Sequence, residues 1–170
     1  MKFLLLLAAF VSVILCAASK SLVELKIEKL GFKIPPALPP KGNYASFVRS
    51  GKHIFLSGHL PQPIDGPLLK GRLGESVTVE EGQRAARLAA LQLIATLNGS
   101  FDLDKIKRIV KITGFVNSAS DFTSQPSVIN GCSDFLCEVF GEKGKHARSA
   151  VGVNTLPLGK YYYANSGSMQ

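Results

Sequence analysis

Apolar and polar residues alternate along the chain with several distinct periods. Behind Met1-Lys2, Phe3 to Leu15 is apolar apart from Ser12. Leu22 to Phe32 is a short amphipathic stretch, with Leu22, Leu25, Ile27 and Leu30 as its apolar residues and Gly31 at its end. The proline-rich segment from Ile34 to Pro40 then reads as an extended linker. Tyr44 to Arg49 and His53 to Ser57 are β-rich runs separated by Ser50-Gly51-Lys52, which predicts a hairpin. Leu60 to Ser76, with its prolines and glycines, reads as a loop.

Thr78-x-x-Glu81 is a capping box that opens a helix to about Leu97. Ala85, Ala86, Leu88, Ala89, Leu91, Leu93, Ile94 and Leu97 give it a wide apolar face suited to lying on a sheet, and Asn98-Gly99 stops it. Lys107 to Val116 alternates as a strand, with Ile109, Lys111, Thr113 and Phe115 on one face and Val110, Ile112 and Val116 on the other. Pro126 suits the first turn of a second helix whose core face is Val128, Ile129, Cys132, Phe135, Leu136, Val139 and Phe140; Gly141 and Gly144 end it. Ala147 to Val153 is a further strand. This order predicts an α+β fold with two helices packed on one face of a β-sheet.

The first run has a different meaning. A basic start, an apolar stretch and the small residues around Cys16 to Ser19 have the layout of a secretory signal peptide, cleaved after Ala18 or Ser19. It stops at Lys20, short of the roughly 20 apolar residues that a spanning helix needs. The expected division is therefore a signal over residues 1–19, a folded domain over 20–159 and a tail over 160–170. That places the mature protein in the secretory pathway with no stable membrane span. A retained anchor is the other reading, and a misplaced start would make the protein cytoplasmic.

The chain carries 20 Lys and Arg against 12 Asp and Glu, a formal charge of +8. The cations are scattered, without the aromatic-studded stripe of a nucleic-acid binder, so the charge is weak evidence for such a partner. Cys132 and Cys137 point about 140° apart on a helix and cannot pair with each other. They read as buried small hydrophobes. Asn98-Gly99-Ser100 is a glycosylation sequon that would matter only in the secretory pathway.

There is no P-loop, GxGxxG, HExxH or GxSxG, and His53, His59 and His146 lack metal-ligand spacing. The most informative side chain is Arg148, in His146-Ala147-Arg148-Ser149-Ala150-Val151-Gly152-Val153. Strand alternation puts Arg148, Ala150 and Gly152 on one face, so the guanidinium stands among small neighbours, as if projecting into a hollow. Its planar fork suits a carboxylate or phosphate. An Arg at a strand end paired with a nearby Glu is the competing reading, and spacing does not choose between them.

Ser57-Gly58-His59-Leu60-Pro61, Gly114-Phe115-Val116-Asn117, Asp121-Phe122, Val128-Ile129-Asn130-Gly131 and His146 to Gly152 occur in an order that resembles the RidA (YjgF, or endoribonuclease L-PSP) family. The resemblance covers roughly residues 22 to 159 and is nearest to the branch with an HARSAVG strand. It implies a chorismate mutase-like mixed sheet and a homotrimer with small-molecule clefts between subunits. It also implies cofactor-free hydrolysis of 2-aminoacrylate-type enamines and imines to 2-keto acids and ammonia. Arg148 matches the arginine that grips the substrate carboxylate; Tyr44, Ser57, Gly58 and Asn130 match substrate-binding positions.

Two departures bear on activity. Ala150 replaces a cysteine found in many deaminases of the family. No acid follows Glu142, whereas the family's last strand carries a Glu that helps orient water. Tyr161 to Ala164 has the propensity to pair as a short edge strand but brings no carboxylate. The readings that follow are a carboxylate-binding domain with or without deaminase activity, a non-catalytic binding or scaffold trimer, and, behind both, RNA binding or cleavage.

Overall fold

The computed structural model describes residues 20–63 and 70–159, and the backbone of 162–169. The signal-peptide residues, part of the Leu60 to Ser76 loop and the side chains of the tail lie outside the described residues.

Helix α1 (Leu22–Lys29) starts at a reciprocal capping box between Ser21 and Glu24. The Asp104 carboxylate also accepts from the Leu22 and Val23 N–H groups at 2.9 and 3.2 Å. An anion at a helix N-terminus satisfies free donors and meets the positive end of the dipole. The buried face keeps only part of the apolar set read from the sequence. Val23 and Ile27, four residues apart, are buried, whereas Leu22 and Leu25 are 68% and 49% exposed.

Strands β1 (Phe47–Ser50) and β2 (His53–Leu56) form the expected hairpin, with Ser50 opposite His53 and Gly51 at φ +57° in the turn. Helix α2 (Val79–Asn98) opens on Thr78, whose hydroxyl accepts from the Glu81 N–H at 3.2 Å while the Glu81 carboxylate accepts from the Thr78 N–H at 2.9 Å. Strand β3 (Ile109–Asn117), helix α3 (Gln125–Phe140) and strand β4 (Ala147–Val153) follow, and Gly141 closes α3 at φ +62°.

Strand β5 (Tyr162–Met169) is longer than the expected edge strand and is not at an edge. The sheet order is β1-β2-β5-β3-β4. Strand β5 runs antiparallel to β3 from Ile109 to Val116 and meets β2 only at Ile54 opposite Met169. The reason is geometric: β4 lies parallel to one side of β3, and the other side needs a strand to complete its hydrogen bonds. β5 supplies those backbone groups whatever its side chains.

α2 and α3 cover one face of this mixed sheet. Leu56, Ile112 and Val116 from the strands are buried with Leu93, Ile94 and Leu97 of α2 and Val128, Ile129 and Phe135 of α3. Ile109 joins that core, contrary to the strict alternation of the sequence. A register shift between Ile109 and Ile112 adds one step to the pleat and turns Ile109 inward. The opposite face keeps Val48 and Phe55, cross-strand partners, exposed together with Val151.

Candidate functional site

Three glycines fix the frame around Arg148. At Gly114 of β3 a Cβ would lie 2.9 Å from Ile129 Cγ1, so α3 beds directly onto the strand. At Gly131 a Cβ would overlap the Gln83 carbonyl oxygen and approach its carbon to 2.7 Å, so α3 and α2 touch backbone to backbone. At Gly144 a Cβ would come within 2.7 Å of the Leu136 carbonyl carbon, which holds the turn before β4 against α3. Asn130 stands between two of these contacts, which fix its place on the backbone, and its side chain is exposed.

Arg148 is the second residue of β4, an edge strand, level with Ile112 of β3. Its Nη1 donates to Asn130 Oδ1 at 2.7 Å and to Ser133 Oγ at 3.2 Å. Asn130 and Ser133 are three apart on α3 and share a face. Among the described residues no carboxylate pairs with Arg148; both of its partners are neutral. A guanidinium has five N–H donors. With both Nη1 hydrogens engaged, the parallel Nε–H and Nη2–H edge is left for a planar anion.

The hollow read from Ala150 and Gly152 is partly filled. A Cβ on Gly152 would meet Gln125 Nε2 at 2.7 Å and Ser118 Oγ at 2.8 Å, so its smallness serves packing. Ala150 rests on the core. The open space is at Arg148 itself, which is exposed.

His146 completes this group. Its Nδ1 lies 2.7 Å from the Gly144 carbonyl and its Nε2 lies 3.1 Å from Ser133 Oγ. Facing a carbonyl, Nδ1 must be the donor, so in the neutral ring Nε2 accepts from the Ser133 hydroxyl. Burial lowers its pKa from 6.5; the Gly144 hydrogen bond opposes that and the Arg148 charge adds to it.

Tyr44, Ser57 and Gly58 form a second group at the hairpin. Ser57 N–H donates to Ser46 O at 2.9 Å and Ser57 Oγ to Ala45 O at 2.6 Å, which ties the Ser57-Gly58 bend to the segment carrying Tyr44. The exposed Tyr44 hydroxyl accepts from the Lys41 N–H at 3.2 Å. Behind them, His59 Nδ1 donates to the Ser57 carbonyl at 2.8 Å and Nε2 lies 2.7 Å from Thr96 Oγ1 on α2. Burial lowers the His59 pKa, and the Ser57 hydrogen bond partly offsets this.

The chain thus unites Arg148 with Asn130, and Tyr44 with Ser57 and Gly58, but keeps the groups apart. β2 and β4 are three strand spacings from each other, about 14 Å. Ser133, His146 and His59 escaped the sequence reading. The i, i+3 spacing of Asn130 and Ser133 was the available signal for the first; nothing in sequence distinguished the histidines from ordinary strand-end residues. Asn98, the sequon residue, is exposed at the end of α2 and donates to Glu24 Oε1 at 3.3 Å.

Comparison with known proteins agrees with the fold. The family model described as "YjgF/chorismate_mutase-like, putative endoribonuclease" matches residues 24–164. Protein TCP17 of Trypanosoma cruzi is 48% identical over 139 residues, covering 81% of this chain and 87% of that protein. The crystal structure of Atu1372 from Agrobacterium tumefaciens, a protein of unknown function, is similar with a TM-score of 0.81 at 36% identity, covering 88% of this chain and 92% of that one. E. coli TdcF with bound serine shares the fold at 22% identity, with a TM-score of 0.53 over 78% of this chain and 90% of its own. The chain belongs to the RidA (YjgF, endoribonuclease L-PSP) family.

Proposed function

We propose that the protein binds a small carboxylate-bearing metabolite, a 2-keto or 2-imino acid, at clefts between the subunits of a homotrimer. One observation carries this reading: Arg148 is anchored through Nη1 by neutral partners, and among the described residues no acid neutralises it. Held at Nη1 by two neutral groups, the guanidinium presents its Nε–H and Nη2–H edge to solvent. Two features favour a shared site. The Arg148 and Tyr44–Ser57–Gly58 groups lie too far apart to hold one small molecule, and Val48, Phe55 and Val151 offer an apolar sheet face to another copy. In this arrangement Arg148 and Asn130 of one subunit face Tyr44, Ser57 and Gly58 of the next. The serine bound in TdcF, a fold relative, is of comparable size and also carries a carboxylate.

Such a site hydrolyses an imine by holding it. The enamine 2-aminoacrylate tautomerises to the imine, water adds to the C=N carbon, and the carbinolamine expels ammonia to leave a 2-keto acid. Arg148 fixes the carboxylate, and polar groups from the facing subunit orient the C=N group and the water. Because no acid follows Glu142, water activation rests on hydroxyl and backbone groups, and turnover is slower than with a carboxylate in place.

A non-catalytic binding trimer is the second reading, favoured by that missing acid and by Ala150. The test is ammonia release from freshly generated 2-aminoacrylate, with pyruvate binding measured alongside. Release above the uncatalysed rate, lost in Arg148→Ala, supports the deaminase. Arg148-dependent pyruvate binding without release supports the second reading. Absence of binding, or binding indifferent to Arg148→Ala, overturns both. We further place this site in the secretory pathway, with residues 1–19 removed and Asn98 available for glycosylation.

A further inference from the structure

Arg148 and His146 are both bonded to one hydroxyl. Ser133 Oγ accepts from Arg148 Nη1 at 3.2 Å and lies 3.1 Å from His146 Nε2, and the opposite His146 nitrogen is locked as a donor to the Gly144 carbonyl at 2.7 Å. Taking the reading above, in which Arg148 anchors a carboxylate, we propose that His146, through Ser133, couples that binding to the uptake of a proton. The carboxylate binds more tightly as His146 becomes protonated, and a bound carboxylate draws a proton onto His146.

Two physical effects act in the same direction. In the empty site the Arg148 charge opposes a second positive charge on the nearby imidazole. A carboxylate on the free edge of the guanidinium cancels much of that repulsion, so protonation of the ring becomes easier. The second effect concerns Ser133. With neutral His146 its hydrogen is committed to Nε2. Once Nε2 carries a proton, Ser133 Oγ accepts from both His146 and Arg148, and its own hydrogen is released as another donor. Reciprocity then follows, since whatever the proton does for the ligand, the ligand does for the proton.

The neighbouring charges do not provide the same coupling. α3 carries Asp134, Cys137 and Glu138 near this end, and Glu138 is paired with Arg87 at 3.8 Å. The turn before β4 carries Glu142, Lys143 and Lys145, and Glu142 pairs with Lys145 at 2.7 Å. β3 brings Lys111, whose Cα pairs with Ala147. Of these surrounding charges, Arg148 is the one that shifts His146. Across Ser133 and the guanidinium the imidazole and the carboxylate stand roughly 10 Å apart, and charges at that range at a partly screened surface change affinity by about three- to tenfold.

Pyruvate is a suitable probe, being fully ionised throughout the range tested. Its Kd for the full-length protein is measured calorimetrically at pH 7.5 and 5.5, in two buffers of different ionisation enthalpy. The expected result is a Kd about three- to tenfold lower at pH 5.5, with buffer-dependent heat showing proton uptake. His146→Gln makes the affinity independent of pH, while His53→Gln, at an exposed ring of the hairpin, keeps the response. Arg148-dependent binding with no pH response in the wild type, or a response that persists in His146→Gln, overturns the coupling and leaves the carboxylate site standing. Pyruvate binding that ignores Arg148 removes both. If His146→Gln does not fold, the His146 imidazole is titrated by NMR in the wild type with and without pyruvate. An upward shift on binding supports the proposal; an unchanged titration refutes it.

Discussion

Gly131→Ala separates the sequence's own expectation from that of the packing. In an exposed helix interior, replacing Gly by Ala adds about 1 kcal/mol of stability. Here the new Cβ would lie 2.7 Å from the Gln83 carbonyl carbon and overlap the oxygen. Carbon contacts relax at about 3.5 Å or more, so α2 and α3 must part by about 0.8 Å or more. The obstacle is backbone, which has no rotamer by which to move aside. Overpacking of this kind costs typically about 1–3 kcal/mol and occasionally more, and a backbone clash belongs at the upper end. Subtracting the helix gain leaves a net loss of about 2 kcal/mol.

Urea unfolding at fixed protein concentration reads this directly. With a slope of about 2 kcal/mol per molar, the midpoint falls by about 1 M. The same displacement moves Asn130 away from Arg148, so pyruvate affinity drops in the folded variant. An unchanged or higher midpoint would refute the backbone contact between α2 and α3, and with it the account of how Asn130 is held.

Other consequences are open to similar measurement. Thr78→Ala removes one half of the α2 capping box and lowers stability by about 1 kcal/mol, whereas Thr78→Ser keeps the hydroxyl and most of the stability. His59 and His146 are both held below the ordinary value of 6.5 in the fold, so the unfolded chain binds more protons just beneath that value. The urea midpoint is therefore level above about pH 6.5, falls as the pH drops below it, and levels again once both folded-state histidines have titrated. A midpoint that rises on acidification through that window contradicts the burial of the rings. Asn130→Ala leaves one Nη1 hydrogen of Arg148 unanchored and weakens pyruvate binding about tenfold with little change in the urea midpoint; equal affinity would show that Arg148 needs no support from α3. The intact mass of protein expressed through a eukaryotic secretory pathway lacks residues 1–18 or 1–19 and carries glycan at Asn98; a full-length, unmodified secreted chain refutes both assignments.

What could be read from sequence, and what could not, divides by the range of the interaction. The Thr78–Glu81 box, the Gly51 turn and the Gly141 stop depend on residues a few positions apart, and all three are where the pattern put them. Errors arise where the deciding contact is distant. Of the apolar residues of α1, Ile27 is buried as its pattern allows, but its partner in the core is Val23 and not Leu22 or Leu25, on a helix whose start is held by Asp104, some eighty residues away. Ile109 changed faces because β5 imposes a register shift on β3, and the tail strand became interior because β3 had an unpaired side.

Arg148 is the most instructive case. Its neighbours in the strand could indicate a guanidinium by a hollow, or one awaiting a carboxylate elsewhere in the chain, and no local pattern separates these. The choice depends on which side chains α3 brings to the β4 edge. That in turn depends on Gly114 and Gly131, which let the helix approach both β3 and α2. Once the helix is that close, Asn130 and Ser133 are what reach Arg148, and both are neutral. The positive charge is thus held in place without being cancelled by any of the described residues, which is the condition for an anion to bind there. A carboxylate introduced on α3 provides the converse check. Ser133→Asp would set a carboxylate against Nη1, cancel much of the guanidinium's charge, and weaken pyruvate binding at the free edge while preserving the fold. If Ser133→Asp bound pyruvate as the wild type does, the uncancelled charge of Arg148 would not be what draws the anion.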